Sequence, residues 1–184
     1  MANVLIPLAQ SCEELEAVTI IDLMVRAGIK VVTASLDEER VITASRGVQL
    51  VAQTTLDAVL NDSFDMVVLP GGLPGADYLN EDERVISLLQ RTVASDRRVA
   101  AICAAPKVLV TAGLLDGKKA TSFPGQIDLH PAKGMKYVSE PVVEDGLVIT
   151  SRGPGTAIDF TLKLIEILKG TDARNQVEKG LQRS

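Results

Sequence analysis

The chain has no tryptophan, only 3% aromatic residues, two cysteines and a single histidine in 184 residues. Each scarcity removes a class of protein. With so few rings, aliphatic packing must carry the core. Two cysteines make no disulfide framework, and the opening Met-Ala-Asn-Val-Leu-Ile begins as a strand rather than as a basic, apolar signal, so a cytoplasmic protein is expected. No apolar run approaches the roughly 20 residues that span a bilayer. Lys and Arg are scattered through a chain of net charge −5, without the basic patch of a nucleic-acid binder. No His/Cys/Asp cluster has ligand spacing and no Gly-x-Gly-x-x-Gly follows a strand, so neither a metal nor an organic cofactor is expected. Small molecules or proteins are the expected partners.

What is present is an ordinary globular composition, 46% apolar and 23% charged, with no repeat or linker. One domain over residues 1–184 is expected, long enough to bury roughly 70% of its unfolded surface. The stretch Arg98 to Val110 organises the rest. Val99-Ala100-Ala101-Ile102 is wholly apolar, as a parallel strand covered on both faces must be. Cys103 ends it, Ala104 and Ala105 follow, and Pro106 suits the first turn of a helix. The thiol therefore sits at a sharp strand-to-helix turn, in the manner of a nucleophile elbow with Cys in place of Ser. Free N–H groups at a helix start favour thiolate, so a lowered Cys103 pKa is expected. An inert buried thiol is the alternative.

Val4 to Pro7 reads as the first strand. Ser11 and Glu14 form a capping box before a helix whose apolar side is Leu15, Val18, Ile21 or Ile20, Leu23 and Val25. Gly28 and the strand Lys30 to Ser35 complete a βαβ unit, which implies a parallel sheet with right-handed crossovers. A small hairpin attached to the main sheet is expected over Val41–Thr43 and Val48–Val51, a short helix near Leu56 to Leu60, and a buried strand over Met66–Leu69. Pro70-Gly71-Gly72 follows, either a plain turn or a loop whose N–H groups face a ligand at the sheet's C-terminal edge. A helix over Asn80 to Ser95, a strand at Lys119 to Ser122, an irregular segment to Gly134, a hairpin on Asp145-Gly146, a helix from Ala157 to Lys169 and a frayed terminal helix complete the pattern.

A cysteine nucleophile needs a base. The sole histidine, His130, lies in the irregular segment and reads as a surface residue, which speaks against a Cys-His-Asp triad. The remaining proton carriers are carboxylates of the first helix. Glu13 and Glu16, three apart, share a face there, while Glu14 goes to the cap. A Glu buried against Cys103 would have a raised pKa and act as acid or base; otherwise these residues merely complement the helix dipole.

Four segments, Glu13-Glu14-Leu15-Glu16-Ala17-Val18, Val67-Val68-Leu69-Pro70-Gly71-Gly72, Ala100-Ala101-Ile102-Cys103-Ala104 and Thr150-Ser151-Arg152-Gly153-Pro154-Gly155-Thr156, resemble in order the signatures of the ThiJ/PfpI superfamily. The nearest branch is that of the parkinsonism-associated protein deglycase and the bacterial YajL-like proteins. The resemblance implies a flavodoxin-like α/β fold, a doubly wound and mostly parallel sheet sandwiched by helices. It also implies a homodimer, an oxidation-prone Cys103, a protonated Glu16 bonded to it, and an oxyanion hole from the Gly72 and Ala104 amides. Arg46, in reach of a partner subunit's site, and Arg152 would favour anions beside Glu13, or else be solvated or dimer-edge charges. The implied function is a cysteine-dependent stress-response protein, a deglycase or glyoxalase-type enzyme acting on methylglyoxal or glyoxal adducts, including glycated side chains. The alternative is a redox sensor or oxidation-activated chaperone. Two departures stand out: Ala104 holds the place of the His of protease-like members, against peptidase activity, and Phe123 that of a His of the animal branch. Cys12, on the loop before the Glu16 helix, is a candidate resolving cysteine for oxidised Cys103.

Overall fold

The computed structural model describes residues 1–183. Seven strands form the main sheet: β1 (Asn3–Leu8), β2 (Lys30–Ser35), β5 (Thr54–Thr55), β6 (Met66–Leu69), β7 (Arg98–Ile102), β10 (Val142–Asp145) and β11 (Val148–Ser151). Their spatial order is β10-β11-β7-β6-β1-β2-β5, and every pairing except β10 with β11 is parallel. Period-two alternation sorts the strand side chains into two cores. Val4, Ile6, Met66, Val68, Ala100 and Ile102 pack on one face, under α1 (Glu14–Arg26), α6 (Ala157–Lys169) and α7 (Thr171–Gly180). Leu5, Val67, Leu69, Val99 and Ala101 pack on the other, with residues of α2 (Leu56–Val59), α3 (Gly75–Glu81), α4 (Glu83–Ala94) and α5 (Pro106–Thr111). The doubly wound, mostly parallel sheet expected from the sequence is therefore the fold, and the loops that follow its parallel strands open at one edge.

The first helix carries apolar residues on more than one side, so its sequence does not choose a face. The sheet takes Ala17, Ile20, Leu23 and Met24 together with Glu16, and leaves Leu15, Val18 and Val25 about half exposed. No capping box forms at its start. Ser11 adopts a left-handed φ of 60° and gives its N–H to Thr43 O, while Glu14 accepts from Ser45 Oγ and Arg46 N–H. Those donors belong to the hairpin of β3 (Val41–Thr43) and β4 (Gln49–Val51), which forms a sheet of its own beside the helix start rather than an extension of the main one. The expected helix from Asn80 is two helices, because Asp82 leaves the helical region and caps α4 by accepting from the Arg84 N–H at 2.9 Å. The strand at Lys119 is β8 (Lys119–Ala120) and pairs with β9 (Lys136–Tyr137). In the last hairpin Asp145 ends its strand, and Gly146 supplies the positive φ of 64° that a two-residue loop requires. The terminal helix is not frayed: Val177 is buried, Ala173 and Leu181 pack on the core, and Arg174 pairs with Glu178 one turn on.

Candidate active site

Cys103 stands where β7 gives way to α5, at a φ of 63° that a side-chain-bearing residue adopts only when its surroundings impose it. Two backbone bonds do so. Its N–H donates to Ser151 O of β11 at 3.0 Å, and its carbonyl accepts the Phe123 N–H at 2.8 Å. Ala104 and Ala105 are buried behind it, whereas the thiol residue itself is only partly covered.

Glu16 reaches the same point from α1 and is fully buried. One carboxyl oxygen, Oε2, accepts the Gly71 N–H at 2.8 Å, and Oε1 is buried without a hydrogen-bond partner; the carboxyl also meets the Cys103 thiol, a weak donor. Burial raises the Glu16 pKa to about 7, against the pull of the Gly71 N–H and the thiol, with the Glu13 charge adding to the rise. A carboxyl of that pKa is poised between donor and acceptor at neutral pH.

The thiol moves the opposite way from the sequence expectation. Burial pushes Cys103 up to about 12, helped by the negative charge of Glu16 and its bond to the thiol, while the Gly72 and Ala104 N–H groups work against the rise. The reason is dimensional: α5 is a helix of six residues, its dipole is small, and desolvation beside a carboxylate outweighs it. The pair thus keeps the thiol protonated over the neutral range while Glu16 gains or loses its own proton near 7, rather than presenting a free thiolate.

Close approach explains the adjacent glycines. A Cβ on Gly71 would stand 2.7 Å from Cys103 Cβ and 2.9 Å from Glu16 Oε2. One on Gly72, whose φ is 91°, would stand 2.4 Å from Glu13 N. The sequence points to both glycines as possible ligand-facing amides, and the structure turns the Gly71 amide to Glu16 instead.

Glu13 turns to the hairpin, accepting from Ser45 Oγ at 3.0 Å, and acts on Glu16 only through its charge. Arg46 is exposed, with its guanidinium 3.9 Å from Glu13. Arg152 lies one residue before Gly153, which faces the Cys103 sulfur, and donates to Ser139 Oγ at 2.8 Å. His130 is exposed on the irregular segment. Cys12 is not a loop thiol open to exchange. It is buried, burial and the Glu14 charge push it up to about 12, and the Gly71–Gly72 backbone packs between the Ser11–Glu13 loop and Cys103, so the structure gives a disulfide no support. Among the described residues no group of three or more His, Cys, Asp or Glu is arranged to hold a metal ion, and no helix is long and apolar enough to cross a membrane.

A doubly wound sheet with a cysteine at a strand-to-helix elbow and a buried glutamate beside it defines a class of cysteine-centred α/β proteins. Comparison with known proteins names the family. The DJ-1/PfpI family model matches residues 2–167, and the chain belongs to that family. It is 43% identical to protein dj-1beta of Drosophila melanogaster over 180 residues, 97% of this chain and 96% of that protein. It is 37% identical to the glutathione-independent glyoxalase DJR-1.2 of Caenorhabditis elegans, over 98% of this chain and 95% of that one. Against DJ-1 homolog B of Arabidopsis thaliana the identity is 41%, but the chain spans only 40% of that longer protein. The crystal structure of Drosophila DJ-1beta superposes with a TM-score of 0.95 at 42% identity, covering all of this chain and 98% of that one. Oxidised DJ-1 of Toxoplasma gondii gives 0.94 at 38%, with both chains fully covered.

Proposed function

We propose that the chain is a cofactor-free, cysteine-dependent enzyme of carbonyl stress, acting on methylglyoxal, glyoxal and their adducts, glycated side chains included. The observation that carries this reading is the buried Glu16 carboxyl, raised to about 7, beside a thiol at the elbow. Glu16 takes the Cys103 proton as the sulfur attacks the aldehyde carbon, forming a C–S bond and a hemithioacetal whose oxygen faces the Gly72 and Ala104 amides. The proton on the former aldehyde carbon then moves through an enediol to the neighbouring carbon, and water hydrolyses the resulting thioester to a 2-hydroxy acid. Carbon oxidation and reduction balance within the substrate, so no external oxidant is needed. In a glycated side chain, carried as a hemiaminal or hemithioacetal, the Cys103 sulfur displaces the amine or thiol from the carbinol carbon: the new C–S bond forms as the bond to the side chain breaks, the leaving group takes a proton, and the same enediol and hydrolysis steps follow. The naming of the C. elegans relative as a glyoxalase supports the assignment. Saturable conversion of methylglyoxal to lactate, lost in Cys103→Ala, is the expected result; no turnover of any 2-oxoaldehyde or adduct would refute it.

A second reading has its own support in the oxidised form of the Toxoplasma relative. Peroxide would oxidise Cys103 to sulfenate and then, with a second equivalent, to sulfinate, each step releasing water, and the added charge would meet the Gly72 and Ala104 amides. Oxidation-dependent suppression of client aggregation without turnover would favour this sensor or chaperone role.

A homodimer belongs to the same proposal. Leu15 and Val18 with Val25, all about half exposed on α1, form the apolar face left uncovered by the fold. Arg46 stands beside this face, at the hairpin that contacts the start of α1. Val18→Glu is expected to shift sedimentation towards monomer, weakening association by about tenfold or more.

A further inference from the structure

Beside the thiol lies a cavity of about 430 Å³, bordered by Phe123, Pro124, Pro141, Arg152, Gly153 and Pro154. It adjoins the site through two of its lining residues: a Cβ on Gly153 would stand 4.0 Å from Cys103 Sγ and 3.3 Å from the Phe123 ring, and the Phe123 amide is bonded to the Cys103 carbonyl. The chain has three phenylalanines, of which Phe64 and Phe160 are buried and Phe123 is 49% exposed. In a protein this poor in aromatic rings, the one phenylalanine left in water flanks the reactive sulfur among three prolines. Its polar company is slight. Arg152 donates to Ser139 Oγ and has no carboxylate within ion-pair distance among the described residues. A methyl group would leave such a hollow largely unfilled, whereas a flat ring would cover the Phe123 face and the prolines.

We propose that this cavity is a substituent subsite that takes the aryl group of an aryl 2-oxoaldehyde, and that Phe123 sets the preference for aryl over methyl. The proposal rests on the reading of Cys103 as a carbonyl nucleophile. With phenylglyoxal the sulfur adds to the aldehyde carbon, the hydrogen there passes as a proton through the enediol to the carbon bearing the ring, and water releases mandelate. The aldehyde carbon is oxidised and the ketone carbon reduced, so the reaction closes with water alone.

The test follows mandelate and lactate by chromatography, products that modification of arginines by these reagents does not make. Wild-type kcat/KM for phenylglyoxal is expected to exceed that for methylglyoxal by about tenfold. Phe123→Ser should lower this ratio about fivefold or more, and Phe123→Leu, which keeps an apolar wall, should retain most of it. A wild-type ratio of about one or less, or a ratio indifferent to Phe123→Ser, overturns the subsite. If neither compound is turned over, the proposed activity fails, and the subsite is judged by binding alone. Phenylglyoxylate should then protect Cys103 from iodoacetamide at about tenfold lower concentration than pyruvate does, an advantage lost in Phe123→Ser. Equal protection by the two acids would overturn it.

Discussion

Glu16→Gln is expected to lower kcat/KM for 2-oxoaldehydes by about 10²- to 10⁴-fold, the contribution typical of a positioned acid–base group. The change is close to isosteric, and the Gln amide oxygen can still accept the Gly71 N–H, so the fold should survive while the proton carrier is lost. The pH profile separates this from a packing defect. The proposed mechanism needs Glu16 ionised to take the thiol proton, so wild-type kcat/KM should fall as pH drops through about 7, the Glu16 value. That acidic limb should be missing in Glu16→Gln. Restoring the carboxyl one methylene shorter, as Glu16→Asp, should bring the limb back at reduced rate, because the group can still titrate but stands farther from the sulfur.

The same carboxyl should leave its mark on stability, with a sign opposite to that of most acidic residues. Its ordinary value of 4.5 applies in the unfolded chain and about 7 in the folded one. Between these values the folded state holds a proton that the unfolded state has released, so stability is greatest at the acid end and declines as pH rises to about 7. A shift from 4.5 to about 7, at 1.36 kcal/mol per unit, makes the decline roughly 3 kcal/mol. Urea denaturation of wild type and Glu16→Gln between pH 4.5 and 8 reads it as a difference. Glu14 and Asp82, whose pKa values are lowered in the folded chain, stabilise above their ordinary range and lose that effect on acidification, but they do so equally in both proteins. The difference should shrink on going from pH 8 to 4.5; a constant difference would mean that Glu16 titrates normally.

What was legible in the sequence follows the range of the forces involved. The run from Val99 to Ile102, with Cys103 and Pro106 after it, announces strand, elbow and helix by local pattern alone, and the structure places them so. The thiol's pKa was not legible, because it depends on how deeply Glu16 and Cys103 are buried together, which no segment contains by itself. Glu16 was one of three carboxylates in one stretch, and only the choice of buried helix face separates it from Glu13 and Glu14. That choice is tertiary, since Leu15, Val18 and Val25 would have served a core equally well. Ser11 and Glu14 matched a capping box because the motif is local, and lost it because the β3–β4 hairpin supplies competing partners across 31 residues or more. The helix α3 was hidden behind Gly72, Pro74 and Gly75, residues that usually mark a turn. The segment of α7 is polar apart from Ala173, Val177 and Leu181, one narrow stripe at i, i+4 and i+8, and its order comes from packing that stripe on the core and α7 on α6.

The central claim is that Cys103 and Glu16 work as one unit, and the rate of Cys103 alkylation by iodoacetamide against pH tests it most directly, in Cys12→Ser with and without Glu16→Gln. With Glu16 present the rate should rise through an inflection at about 7, as the carboxylate becomes free to take the thiol proton, and Glu16→Gln should abolish that inflection. Identical profiles in the two proteins, each rising only at the free-thiol value of about 8.5, would contradict the account.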